Sequence, residues 1–349
     1  MKAARESWIN PALALALCAA AGACFAWLRV PLPWMIGPLT AMAACNFAGV
    51  GLRAPPGSRQ LGQLVVGTAL GLYFTPVVAR EVASFWPLLL LGGVLAIFLG
   101  VLGGWVLGRV TGTDSTTAFF ASVPGGATEM TILGERFGAR ADRVALAQSL
   151  RILAVVIVIP FALTYSGAHG TDAYQPVALA LDWTRLAALL AGGALLGGLL
   201  AYVAVPNAFM FGPLALAAAL TMSEVQLSSL PTGLSSAAQV LLGCSLGTRF
   251  ERQSLQSAPR YVWGVLASVA ATIAAAAGCA WGVAVAWGLP TPTLVLAMAP
   301  GGIAEMCITA KVLQLGVPLV TAAQVARVLV LLTTTGPGFR WLRGGWTKS

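Results

Sequence analysis

Eight stretches of the chain, residues 7–28, 30–52, 60–79, 82–108, 152–171, 186–223, 225–248 and 261–304, contain no Asp, Glu, Lys or Arg. About 20 apolar residues carry a helix across the hydrocarbon layer, and most of these runs reach that length. None alternates with the two-residue period of a membrane β-strand. The pattern predicts an all-α polytopic membrane protein with segments near 9–28, 32–50, 60–79, 84–108, 115–134 and 144–165. Six more are expected near 185–205, 207–223, 232–249, 261–288, 291–310 and 317–338. The fifth segment of each set is short and centred on Pro-Gly-Gly, residues that break a helix and require backbone partners other than lipid.

The two sets are copies of one unit. Residues 121–153 match 297–329 without a gap at twelve of thirty-three positions. Pro124, Gly125, Gly126, Glu129 and Met130 recur as Pro300, Gly301, Gly302, Glu305 and Met306, and Gln148 and Arg151 recur as Gln324 and Arg327. Upstream, Gln63, Gly67 and Gly71 recur as Gln239, Gly243 and Gly247, while Gly37-Pro38-Leu39 recurs as Gly212-Pro213-Leu214. Residues 1–175 therefore form repeat 1 and 176–349 repeat 2, at an offset of 175 or 176. Lys2 and Arg5 before an apolar run resemble a secretory signal, but that run matches Leu186 to Val205 in mid-chain, so residues 9–28 are expected to be a retained helix.

Composition agrees with the pattern and narrows the function classes. Of 349 residues 58% are hydrophobic and 9% charged, too few charges for a water-facing surface. The net charge of +9 does not form a basic stripe; it lies in short loops, and a direct nucleic-acid partner is not expected. If each fifth segment returns to its own side and the amino terminus is inside, fourteen of twenty basic residues fall in inner loops. That arrangement predicts ten crossings plus two re-entrant or broken segments, with both termini cytoplasmic at the bacterial inner membrane. Five crossings per repeat, an odd number, make the repeats inverted.

Candidate chemistry lies in the few polar groups inside apolar segments. Cys18, Cys24, Cys45, Cys244, Cys279 and Cys307 form no CxxC pair, and His169 stands alone in a polar loop, so no metal or cofactor is expected and no enzyme. Glu129 and Glu305 lie three residues past the second glycine of each break, in the first turn of the half-helix that follows. Gln148 with Arg151, and Gln324 with Arg327, share a helix face three residues apart. Three readings stand open, one being that these groups lie exposed at loop depth without a role. Glu129 with Arg151 and Glu305 with Arg327 form salt bridges that lock each hairpin to the next helix, or Arg binds an anionic solute while Glu accepts H⁺ or Na⁺. Gly125, Gly126, Gly301 and Gly302 would let a solute approach backbone amides at a positive helix end. Gln63 and Gln239 either reach the hairpin tips or accompany close GxxxG packing through Gly67 and Gly71, and Gly243 and Gly247. The Gly-Pro pairs are expected to unwind or kink the second helix of each half.

The duplicated Pro-Gly-Gly-x-x-Glu-Met, the downstream Gln-x-x-Arg and the duplicated Gly-Pro-Leu together resemble the bacterial AbrB-type membrane proteins, over nearly the whole chain. This is an inner-membrane family distinct from the DNA-binding regulator of the same name. The resemblance implies a duplicated membrane protein carrying labels such as regulator of aidB expression and ammonia monooxygenase. At fold level the plan is also similar to citrate and glutamate carriers with Gly-rich hairpins. The resulting expectation is a secondary transporter of a small anionic organic solute, with the lipid bilayer, the solute and H⁺ or Na⁺ as partners and a homodimer compatible with it. The alternative is a membrane protein that regulates gene expression indirectly.

Overall fold

A computed structural model describes residues 2–170, 180–225, 228–250 and 259–346. Arg252 and Lys348, two of the fourteen basic residues expected in inner loops, and the repeat boundary near residue 175 lie outside the described residues. Fifteen helices and no strand are present among the described residues. In chain order they are α1 (Lys2–Trp27), α2 (Pro33–Phe47), α3 (Ser58–Gly71), α4 (Pro76–Ser84), α5 (Trp86–Thr111), α6 (Ser115–Ser122), α7 (Ala127–Arg136) and α8 (Ala141–Tyr165). They continue as α9 (Trp183–Tyr202), α10 (Ala208–Met222), α11 (Thr232–Gly247), α12 (Pro259–Trp287), α13 (Thr291–Met298), α14 (Ile303–Leu313) and α15 (Val317–Trp346).

Six of the described helices are long and apolar enough to cross a membrane, and a seventh span arises if α3 and α4 count as one. The chain is a multi-pass membrane protein. The expected ten crossings include α2 and α10 at 15 residues and α11 at 16, shorter than a full span at 1.5 Å per residue. The segment expected as one helix over 60–79 is two: α3 ends at Gly71, and the chain bends by 92° into α4. Pro76 begins the new helix, and Thr75 caps it by accepting a hydrogen bond at Oγ1 from the Val78 amide at 3.3 Å.

The compact units do not follow the halves of the sequence. The first unit takes residues 1–80, 160–257 and 311–318, and the second takes 81–159, 258–310 and 319–349. In the first, α2 packs on α1 and α11, and α10 packs on α3 and α9. Small residues make these approaches possible: a Cβ on Gly37 would lie 2.7 Å from the Ala21 carbonyl oxygen, and one on Gly212 would lie 2.5 Å from the Gly197 nitrogen. The Gly-Pro pairs therefore serve helix contact. They do not unwind the second helices, since α2 runs through Pro38 and α10 through Pro213. Thr40 Oγ1 donates to the carbonyls of Ile36 and Gly37, one turn below.

In the second unit α5 lies against α12, α6 against α5, and α13 against α12. Ser268 Oγ on α12 donates to the Gly103 carbonyl on α5 at 2.7 Å. Backbone turns recur at the offset of the repeat. Left-handed residues pair as Arg29 with Ala204, Leu32 with Asn207 and Gly49 with Glu224 at 175, and as Gly112 with Gly288 and Gly138 with Gln314 at 176. Only two of these ten are fixed at both copies by glycine, so the shared turn geometry exceeds the shared residue type.

Candidate functional site

The second unit gathers both Pro-Gly-Gly breaks. α6 ends at Ser122 and α7 begins at Ala127; α13 ends at Met298 and α14 begins at Ile303. In the first break α7 folds back beside α6. The Arg140 amide beyond α7 donates to Thr117 Oγ1 near the start of α6 at 3.0 Å, and Phe120 stacks on Phe137 with ring centroids 5.7 Å apart. Phe339 of α15 closes this aromatic cluster against Phe119, Phe120 and Phe137. A fold-back of this kind brings the charged residues after α7 near the mouth of α6 and keeps the glycines at the tip.

Ending a helix inside an apolar unit leaves its last carbonyls without amide partners and concentrates the negative end of the helix dipole there. Gln148 and Arg151 of α8 meet that demand for α6. Gln148 Nε2 donates to the carbonyls of Phe120 at 2.8 Å and Val123 at 2.9 Å. Arg151 donates from Nη1 to Val123 at 2.9 Å and from Nη2 to Gly125 at 3.2 Å. The second half repeats the arrangement. Gln324 Nε2 reaches Leu296 at 2.7 Å, and Arg327 donates from Nη1 to Ala299 and from Nη2 to Gly301, the latter at 2.7 Å. All four side chains are buried. A guanidinium is suited to this place because its fork spans two carbonyls and its charge opposes the dipole.

The salt bridges entertained from the sequence are absent among the described residues: no Glu129–Arg151 or Glu305–Arg327 pair lies within 4.0 Å. The carbonyls take the guanidinium groups instead. Each Glu stays with its own half-helix. Gly126 is the N-cap of α7, and a Cβ added to it would overlap Glu129 Oε2; a Cβ on Gly302 would overlap Glu305 Oε2. The carboxylates thus lie over the positive amino ends of α7 and α14, at the third helical position where a capping glutamate belongs. They differ in depth. Glu305 is 7% exposed, whereas Glu129 is only partly buried.

Several buried polar atoms keep unused capacity. Gln148 Oε1, Arg151 Nε, Gln324 Oε1 and Arg327 Nε have no hydrogen-bond partner among the described residues. Beside Arg151 lies a narrow cavity, with room for roughly one water, lined by Ser122, Ser268 and Thr272 and by apolar residues of α5, α8 and α12. Its three hydroxyls were not singled out in the sequence, where they fall in different segments without a shared motif.

Gln63 and Gln239 belong to the first unit. Gln63 Nε2 donates to Asn207 Oδ1 at 3.2 Å, and Arg59 Nη2 donates to the same oxygen at 3.1 Å. The glycines that follow are packing contacts: Gly71 meets the backbone and Cβ of α10, and Gly247 meets Met42 and Leu39 of α2. Of the two readings, close helix packing is the one that these glycines support.

The chain as a whole is similar to known proteins. The family described as "Transition state regulatory protein AbrB" matches residues 34–343. The chain is 27% identical over 320 residues to "Putative regulator AbrB" of Escherichia coli K12, covering 90% of each chain. It is 29% identical over 356 residues to "Uncharacterized protein YhjN" of Bacillus subtilis 168, covering 94% of this chain and 92% of that protein. By the extent of the family match and the two motifs inside it, the chain belongs to the AbrB family.

Proposed function

We propose that the protein is a secondary transporter that moves a small anionic organic solute by alternating access, with H⁺ or Na⁺ as the coupling ion. The observation that carries this reading is the duplicated break in the second unit, with Arg and Gln on its carbonyl ends and Glu on its amide ends. Broken helices lodged in protein, with free backbone ends and buried charge, are how secondary transporters build solute and ion sites. Charged side chains in apolar segments are costly, on insertion scales about 2.5–3.5 kcal/mol each, and are kept where they hold a pathway or a site. The two arginines and the two positive half-helix ends favour an anion. Glu305, the deeper carboxylate, is the stronger candidate for the coupling group.

In this reading the halves are inverted repeats, each with five crossings and one broken segment, and both termini are cytoplasmic at the inner membrane. The recurring left-handed turns and the recurring caps support it. The second unit would then carry the solute, with no catalytic step, no cofactor and no direct nucleic-acid contact. The name of the Escherichia coli relative favours a second reading, indirect regulation of gene expression. The two are compatible, since moving a metabolite changes expression without DNA contact. Counterflow in liposomes across a panel of carboxylates and amino acids tests the transport reading: accumulation of at least one solute is expected, and none with any solute under either ion gradient refutes it.

A further inference from the structure

We propose that one corner of the second unit binds the headgroup of an anionic phospholipid, with the phosphodiester held by Arg109 and Arg260. Both arginines sit where a span ends. α5 runs for 26 residues and α12 for 29, about 39 and 44 Å at 1.5 Å per residue, against about 30 Å of hydrocarbon. Their ends therefore emerge among the headgroups. The two helices are antiparallel: Ser268 bonds to Gly103 midway, and a Cβ on Gly264 would lie 3.4 Å from the Leu107 side chain and 3.5 Å from that of Val110. The last turn of α5 thus stands beside the first turn of α12. Arg260 Nη2 donates to the carbonyl of Val110, the residue after Arg109, at 3.4 Å.

Both arginines are exposed, and what surrounds them suits a lipid. Arg109 Cζ lies 5.4 Å from the centre of the Trp105 ring, a cation–π contact that holds the guanidinium over an exposed aromatic face. Trp105 and Trp263 are 58% and 71% exposed, and tryptophan at the end of a span belongs at the boundary between acyl chains and headgroups. Val101 and Phe98, also exposed, continue the face of α5 towards the membrane interior, where the acyl chains would lie. The carboxylates near this end are taken. Asp114, three residues past α5, caps α6 by accepting from the Thr117 amide. Asp142 pairs with Arg140 and Arg143, the latter lying over the Tyr261 ring. Among the described residues neither Arg109 nor Arg260 has a carboxylate within 4.0 Å. Two such guanidinium groups at headgroup depth favour an anionic lipid over a zwitterionic one. The other end of the same helix pair lacks them. At the repeat offset of 176 Trp281 stands for Trp105, but Val285 stands for Arg109 and Ser84 for Arg260. The duplication has kept the aromatic anchor at both ends and the cations at one.

The assignment concerns the bilayer and holds whether or not the protein carries a solute. The test is thermal unfolding of the purified, delipidated full-length protein, titrated with phosphatidylglycerol or with phosphatidylcholine of the same acyl chains. Phosphatidylglycerol is expected to stabilise the wild type at a concentration at least about tenfold lower, the scale of two basic residues at an anionic headgroup. Arg109→Gln combined with Arg260→Gln should lose that preference. Arg53→Gln, which removes an exposed arginine of the first unit, should keep it. The wild-type preference should also shrink as salt is raised, a reading that needs no variant to fold. Equal stabilisation by the two lipids, a preference that survives in the double variant, a loss in Arg53→Gln as large as in the double variant, or a preference indifferent to salt would each overturn the assignment. Inorganic phosphate and glycerol phosphate are expected to have no effect at the concentration where the lipid saturates. Stabilisation by either would place a soluble phosphate at this corner and overturn the lipid.

Discussion

Arg327 donates from Nη2 to the carbonyl of Gly301 at 2.7 Å, so the charge of α15 is spent on the backbone of the break and not on the nearby Glu305. The same relationship joins Arg151 to Gly125 at 3.2 Å in the first half. An arginine so placed does for a half-helix what the next turn of helix would have done, and it lets a broken segment exist in an apolar unit.

Removing the neutral member of the cap should therefore destabilise the break. In Gln324→Leu the carbonyl of Leu296 loses a side-chain donor, and an unsatisfied buried acceptor costs about 1–3 kcal/mol. Thermal unfolding in detergent is expected to shift down relative to wild type. An unchanged midpoint would mean that the carbonyls find other donors.

Gly302→Ala is expected to fold and to fail in transport. Its Cβ would overlap Glu305 Oε2, the end of a flexible side chain, so the carboxylate moves and the backbone does not. Displacing it from a preferred rotamer costs about 0.5–1.5 kcal/mol, a small effect on the unfolding midpoint. Solute uptake should fall as far as it does in Glu305→Gln. Wild-type uptake in Gly302→Ala would show that the position of the carboxylate is immaterial.

The glycines of the first unit should respond differently, because they face backbone. A Cβ on Gly212 would lie 2.5 Å from the Gly197 nitrogen and 2.7 Å from its Cα, and α9 and α10 would have to separate. Overpacking of this kind costs about 1–3 kcal/mol. Gly198→Ala is the control: nothing lies within 4 Å of its Cβ, and alanine gains up to about 1 kcal/mol of helix propensity. Equal midpoints for the two variants would contradict the packing described here.

Single cysteines at positions 125 and 301, placed in a cysteine-free background and labelled from each side with an impermeant reagent, test the inverted arrangement. Labelling from opposite faces is expected. Labelling of both from one face would be incompatible with inverted repeats.

The breaks were legible in the sequence because Pro-Gly-Gly cannot continue a helix and because it occurs twice in matching places. The partners of the arginines were not. Spacing places Gln148 and Arg151 on one face, but nothing in residue types says that the carbonyls of Val123 and Gly125 outcompete Glu129 for the guanidinium. The bend after Gly71 was hidden for a similar reason: residues 60–79 are charge-free throughout, and the apolar run continues across a corner made by Thr75 and Pro76. The Gly-Pro pairs suggested an unwound second helix, yet α2 runs through Pro38 and Gly37 is needed for contact with α1. The aromatic closure of the first hairpin by Phe339 depends on residues more than two hundred positions apart, which no local pattern joins.

The central claim, that the second unit carries a solute coupled through the buried Glu305, is tested most directly by counterflow and gradient-driven uptake in liposomes with wild type and Glu305→Gln side by side. The account predicts that Glu305→Gln is folded and monodisperse, binds solute, and loses acceleration by a proton or sodium gradient. Gradient-driven uptake by Glu305→Gln equal to that of the wild type would contradict it.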